Sequence, residues 1–141
     1  MNKVEFTFVG DKVDFEEAKS FCVQNGAKLF EPRDANILKN VIHQAKTQEI
    51  GDFWLGIHDI AQEGTFVYAS DNTAIEFDDW ADGEPNNHGN GEDCAVVDSN
   101  GKWVDLPCTG HKRSIVCAKE LGKSNLDWFV DRLFIQIFNT A

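Results

Sequence analysis

Cys22, Cys94, Cys108 and Cys117 are the only cysteines in the 141-residue chain, and their number is even. None belongs to a Cys-x-x-Cys pair, so zinc-ribbon and thioredoxin-like architectures lose their main support. Two disulfides would suit an oxidising compartment. Three pairings are possible. The nested one, Cys22–Cys117 with Cys94–Cys108, would staple the two ends of the domain and separately pin one loop. Chain-entropy reasoning gives the long closure about 4–5 kcal/mol and the short one about 3 kcal/mol. Four reduced, buried thiols in a cytosolic protein are the alternative, and the cysteines alone do not choose. The first residues, MNKVEFTFVG, lack the form of a secretory signal, so an extracellular protein here means a mature form with an added Met.

The rest of the composition describes one globular domain with a core. Apolar residues make up 42% and charged residues 26%. Eleven Phe and four Trp argue against disorder. No apolar run reaches the roughly 20 residues that span a bilayer, which excludes an integral membrane domain. With 24 acidic against 13 basic residues the formal charge is −11. That excess argues against sequence-independent nucleic-acid binding, which needs a basic face. It suits cations, or simply keeps the chain soluble.

Along the chain, Val4–Val9 alternates as a strand. Asp14 and Glu17 form a capping box ahead of a helix to Cys22 with Phe15, Ala18 and Cys22 on one stripe, and Asn25-Gly26 stops it. Pro32 is expected to open a second helix with Ile37, Leu38, Val41, Ile42 and Ala45 inward. From Asp52 onward short apolar runs read as strands: Phe53–Ile57, Thr65–Tyr68, Cys94–Val97, Trp103–Val104 and Ser114–Cys117. Between Asp78 and Asp93 lies DDWADGEPNNHGNGED, nearly empty of aliphatics. A structureless stretch of that length inside a compact domain is functional or disordered, and anchors at Trp80 and Cys94 favour the functional case. The tail, residues 121–141, is different. Leu126, Phe129, Val130, Leu133, Phe134, Ile137 and Phe138 fall at helical spacing behind a Ser124/Asp127 capping box, with Trp128 and Ile135 on the opposite face. An amphipathic helix of about 15 residues is too short to cross a membrane. It suits self-association into a homo-oligomer; docking on its own domain and lying at a membrane interface are the alternatives.

The chemistry concentrates between residues 59 and 105. Asp59, Glu63, Glu84, Glu92, Asp93 and Asp105 supply carboxylates, and Asn86 and Asn87 supply amides. Crowded carboxylates raise one another's pKa unless a cation sits among them. Calcium takes six to eight oxygens in flexible geometry, whereas magnesium keeps more water. The spacing is not that of an EF-hand. A solvated acidic loop is the bland alternative.

Trp54-Leu55-Gly56-Ile57, Glu84-Pro85-Asn86, Glu92-Asp93-Cys94 and Trp103-Val104-Asp105, in that order and within the four-cysteine frame, resemble the C-type lectin-like domain family. The resemblance covers roughly Val4 to Glu120, and EPNNHGNGEDC is similar to mannose-type members. It implies an α+β fold: two helices flanking antiparallel strands, with a long calcium-binding loop, in a domain of residues 1–120. It implies the nested disulfides, a buried Trp-Leu-Gly-Ile motif, packing roles for Trp80 and Trp103, and a cis Pro85 that lets Glu84 and Asn86 aim at one ion. By residue match, a principal calcium site would use Glu84, Asn86, Glu92 and Asp105. A second, structural site would use Asp59, Glu63, Asn87 and Asp93. Sugar would bind with two adjacent equatorial hydroxyls on the principal ion, contacting Glu84, Asn86, Glu92 and Asp105, with His88 at its edge. The order Glu-Pro-Asn implies mannose-type glycans over galactose, and a secreted or extracellular setting.

One residue departs from the pattern. Sugar-binding members usually read Trp-Asn-Asp, and Val104 offers neither an oxygen to calcium nor an NH₂ to sugar. A module that binds protein, or a crystalline surface such as ice, with calcium structural only, is therefore carried as the alternative. The four histidines have no His-Glu-x-x-His spacing, and no Gly-x-Ser-x-Gly or phosphate-binding glycine motif occurs. The chain reads as a binding module, not an enzyme.

Overall fold

A computed structural model describes residues 3–86 and 91–121. The 124–138 helix, the tail as a separate unit, and the roles given to Asn87 and His88 lie outside the described residues.

The elements run β1 (Val4–Val13), α1 (Phe15–Gln24), β2 (Lys28–Leu29), α2 (Ala35–Thr47), β3 (Phe53–His58), β4 (Val67–Tyr68), β5 (Cys94–Val97), β6 (Trp103–Leu106) and β7 (Arg113–Glu120). Strands β1, β7, β3, β5 and β6 neighbour one another in that order, with β2 against β7 and β4 against β3. All pairings are antiparallel except β3 with β7, which meet in parallel at Phe53 and Ser114. The first and last strands pair from Val4–Glu120 to Val13–Arg113, so the two ends of the domain close on each other. Two disulfides, Cys22–Cys117 and Cys94–Cys108, reinforce that closure and the base of the long loop.

Local signals set most of these elements. Asp14 caps α1, its carboxylate accepting the Glu17 N–H at 2.9 Å. The second helix starts later than Pro32 suggests. Asp34 is its N-cap, accepting the N–H groups of Asn36 and Ile37 at 2.9 Å, because a carboxylate that satisfies two orphan donors defines the first turn better than a fixed φ does. That start leaves Ile37 exposed, while Leu38, Val41 and Ala45 are buried. The run from Thr65 contributes only Val67–Tyr68 to the sheet.

Two apolar clusters fill the interior. One gathers α2, β3 and β5 around Leu55, Tyr68 and Trp103; the other packs α1 on Trp54, Val96 and the cysteines. Trp54 is fully buried and its indole N–H donates to Val13 O at 2.8 Å. Gly56 is required by contact: a Cβ there would stand 2.8 Å from Leu29 O, where the Gly56 N–H donates to Phe30 O at 2.7 Å. The Trp-Leu-Gly-Ile motif is thus core.

Candidate functional site

Strand β6 carries Asp105 with 1% of its surface exposed, opposite Ala95 of β5. The long loop turns toward it. The Trp103 N–H donates to Asp79 O at 2.9 Å, the Ala81 N–H to Trp103 O at 2.8 Å and the Glu84 N–H to Ala81 O at 2.9 Å. These bonds deliver a Glu84–Pro85 peptide that is cis. The Asn86 backbone N–H then donates to Asp105 Oδ1 at 3.1 Å and to Glu84 Oε2 at 3.2 Å, and its side-chain NH₂ donates to Glu84 Oε1 at 2.8 Å. Residues 19 positions apart thereby form one group of oxygens. Burial and the adjoining Asp105 carboxylate push the Glu84 carboxyl up to about 7.

A second group forms where β3 ends and β5 begins. Asp59, Glu63 and Asp93 each present an oxygen within 4.8 Å of the others. The Asp59 N–H donates to Asp93 O at 3.0 Å, and the Gly64 N–H donates to Asp59 Oδ2 at 2.9 Å. Asp59 is 2% exposed, and its buried Oδ1 accepts no hydrogen bond from the described residues. Burial raises the Asp59 carboxyl above the usual range against the pull of the Gly64 N–H. Burial and then Asp59 raise Asp93 in the same direction. Glu92, 9% exposed, directly precedes Asp93 in the chain.

Of the residues singled out from sequence, the structure joins Glu84, Asn86 and Asp105 in one group and Asp59, Glu63 and Asp93 in the other. Two features carry weight that sequence reading missed. Gly64 turns with φ of 85° to aim its N–H at Asp59, and the Glu63-Gly64 step was its only signal. His58 adjoins Asp59, its buried Nδ1 without a hydrogen-bond partner among the described residues and its pKa lowered by burial.

An oxygen-only donor set, carboxylates raised by burial and then by neighbouring carboxylates, and a buried oxygen without a hydrogen bond among the described residues fit a hard divalent cation better than they fit an ion-free loop. Val104 lies across the β5–β6 ladder from Val96 and packs half-buried on the second apolar cluster. Alternation along β6 gives Trp103 and Asp105 one face and Val104 and Leu106 the other.

The sequence pattern of the lectin C-type domain matches residues 11–119. A mannose-binding protein of Gallus gallus is 38% identical over 99 residues, which are 70% of this chain and 37% of that protein. The human scavenger receptor C-type lectin carbohydrate-recognition domain superposes with a TM-score of 0.75 at 27% identity, covering 83% of this chain and 91% of that one. The cow carbohydrate-recognition domain of CD23, solved in the presence of a GlcNAc2Man3 oligosaccharide, gives 0.75 at 25% identity over 85% and 90%. The chain spans between 30% and 38% of the length of the curated relatives it matches.

Proposed function

The chain belongs to the C-type lectin domain family, and from that premise we propose that it is a calcium-dependent carbohydrate-binding module for mannose-type glycans. It is a binding domain, not an enzyme. The observation that carries the proposal is the Glu84–Asn86–Asp105 group, two carboxylates and an amide drawn together across 19 residues. In this reading Glu84, Asn86, Glu92 and Asp105 hold the principal ion, and Asp59, Glu63, Asn87 and Asp93 hold a structural one. Calcium held by these residues would supply an electropositive seat for two adjacent sugar hydroxyls. Glu84, Glu92 and Asp105 would offer the acceptors for the two hydroxyl protons, Asn86 would donate to a hydroxyl oxygen, and His88 would border the sugar. Glu84 ahead of Asn86 supports equatorial hydroxyls of the mannose type, as do the mannose-binding relative and the CD23 domain.

Titration calorimetry with mannose and with galactose, each in calcium and in chelator, tests this. Millimolar mannose binding that exceeds galactose and vanishes in chelator is the expected result. Heat unaffected by chelator, or none at high sugar concentration, overturns it.

Val104 favours a second reading. It leaves the site one oxygen and one NH₂ short of the usual sugar-binding set, as a module for a protein or for a crystalline surface such as ice would tolerate. Calcium binding without sugar competition would select that reading.

Two disulfides support an extracellular setting. Among the described residues no helix is long and apolar enough to cross a membrane. The 124–138 stripe is read as an oligomerisation element, because weak single sites gain from multivalency. Deleting residues 124–141 should turn an oligomer into a monomer by light scattering, and a full-length monomer at high concentration refutes this.

A further inference from the structure

We propose that Trp80 is a positioning residue for both acidic groups, joining the segment that carries Asp59 and Glu63 to the strand that carries Asp105. The proposal takes its functional weight from the cation-binding reading above. Between residues 81 and 93 the only apolar side chains are Ala81 and Pro85, so the long loop has no hydrophobic anchor of its own. Trp80 is the last large apolar residue before Cys94. Its ring lies 4.9 Å from Phe66 and 5.5 Å from Trp103 between centroids. Phe66 directly follows the turn in which Gly64 holds Asp59 and the Thr65 N–H donates to Gln62 O at 3.0 Å. Trp103 is fully buried and lies on the Asp105 face of β6, two residues away.

The backbone joins here at a single isolated bridge, Trp80 to Trp103. Two hydrogen bonds, from the Trp103 and Ala81 N–H groups, make that bridge, with Lys102 Nζ 2.7 Å from Asp79 Oδ1 before it; in this proposal they leave rotation of the following segment about the bridge to be resisted by side chains. The ring, wedged between Phe66 and Trp103, resists that rotation. A turn at Trp80 would be transmitted through Ala81 O to the Glu84 N–H, and so to the bonds between Asn86 and Asp105. A tryptophan that merely filled the core would instead loosen the whole domain when removed.

The test compares full-length Trp80→Leu, Trp80→Phe and Phe66→Leu with the parent. In chelator, amide hydrogen exchange is read at residues 84–86, at 59–64 and in β3 and β5. Calcium chloride is then titrated by calorimetry. Trp80→Leu should accelerate both loop segments by about tenfold while the strand amides hold their rates. It should weaken calcium binding by about tenfold, as loss of a supporting contact does. Trp80→Phe should restore most of both, and Phe66→Leu should accelerate 59–64 alone. Uniform acceleration of loops and strands, or unchanged exchange in Trp80→Leu, overturns the proposal. If the parent binds no calcium, the cation reading falls while the exchange comparison still decides the role of Trp80.

Discussion

Glu31 and Asp59 are both buried carboxylates, and the chain treats them in opposite ways. Glu31, 6% exposed, meets Arg33 through Nε at 3.0 Å and Nη2 at 2.9 Å, Lys28 at 3.5 Å, and the Ser70 N–H at 2.8 Å. Arg33 in turn lies 4.0 Å over the Tyr68 ring and 2.8 Å from Asp71. Asp59, 2% exposed, meets one N–H and two further carboxylates. A buried charge needs a counter-charge or it neutralises itself. Glu31 has its counter-charge built into the chain. Among the described residues Asp59 has no such counter-charge.

Calcium should separate the two most strongly. An ion that binds only the folded state adds about 2.7 kcal/mol at a hundredfold excess over its dissociation constant. Melting in calcium and in chelator should differ by several degrees, and identical melting temperatures would sink the two-site reading. Asp59→Asn should lower the melting temperature in calcium but not in chelator, where it removes like-charge crowding. Acid should sharpen this. With Glu84 pushed up to about 7, above its unfolded value, ionisation penalises the ion-free fold at high pH. The chelated protein should therefore gain stability as pH falls through 7 toward 4.5. In calcium the sign reverses, because protons compete with the ion for the same oxygens. Thermal melts at pH 8 and pH 6 in both media check both signs.

Glu31→Ala should come next, at about 2–3 kcal/mol, because it leaves the Ser70 N–H unpaired and takes from Arg33 one of its two carboxylate partners, Asp71 remaining. Denaturant melts should show the same loss with and without calcium. A calcium-dependent loss would mean that the two regions are not independent.

Val104→Asn is smaller. It restores one oxygen and one NH₂ next to Asp105, and one hydrogen bond of about 1–1.5 kcal/mol corresponds to roughly tenfold in mannose affinity. Calorimetry in calcium measures it. If neither parent nor variant binds at high sugar concentration, the non-sugar module takes the place of the lectin reading.

Asp71→Asn should have the least effect. The Thr73 N–H and hydroxyl, and then Arg33, hold the Asp71 carboxyl down to about 2. Its contribution is present above the unfolded value and fades as pH falls from about 3.8 toward 2. The pair is exposed and salt-screened, so the change should approach the resolution of a melting curve and shrink further in high salt.

How much of this was readable in advance depends on sequence distance. The Asp14 cap is a three-residue device and follows from neighbours alone. The start of α2 differs from the Pro32 expectation because Pro32 and Asp34 can each open a helix, and only the backbone shows that the N–H groups choose Asp34. The two-residue β2 has no pattern of its own; it exists because β7 offers an edge at Ala118 and Cys117. The six carboxylates were visible as a set, but their division into two groups depends on loops that close over 19 and 34 residues.

The motifs, the cysteine frame and the acid excess determined the fold family and an oxygen-rich set of side chains, since these are matters of residue type and order. Only the tertiary structure decided that Asp59 keeps a buried oxygen without a donor among the described residues, that Trp80 stands between Phe66 and Trp103, and that Glu31 is paired with Arg33 within the chain. Each of those depends on distances across the sheet. A chain specifies such distances only once its whole hydrophobic interior has closed, because no local preference holds two side chains together over a gap of tens of residues.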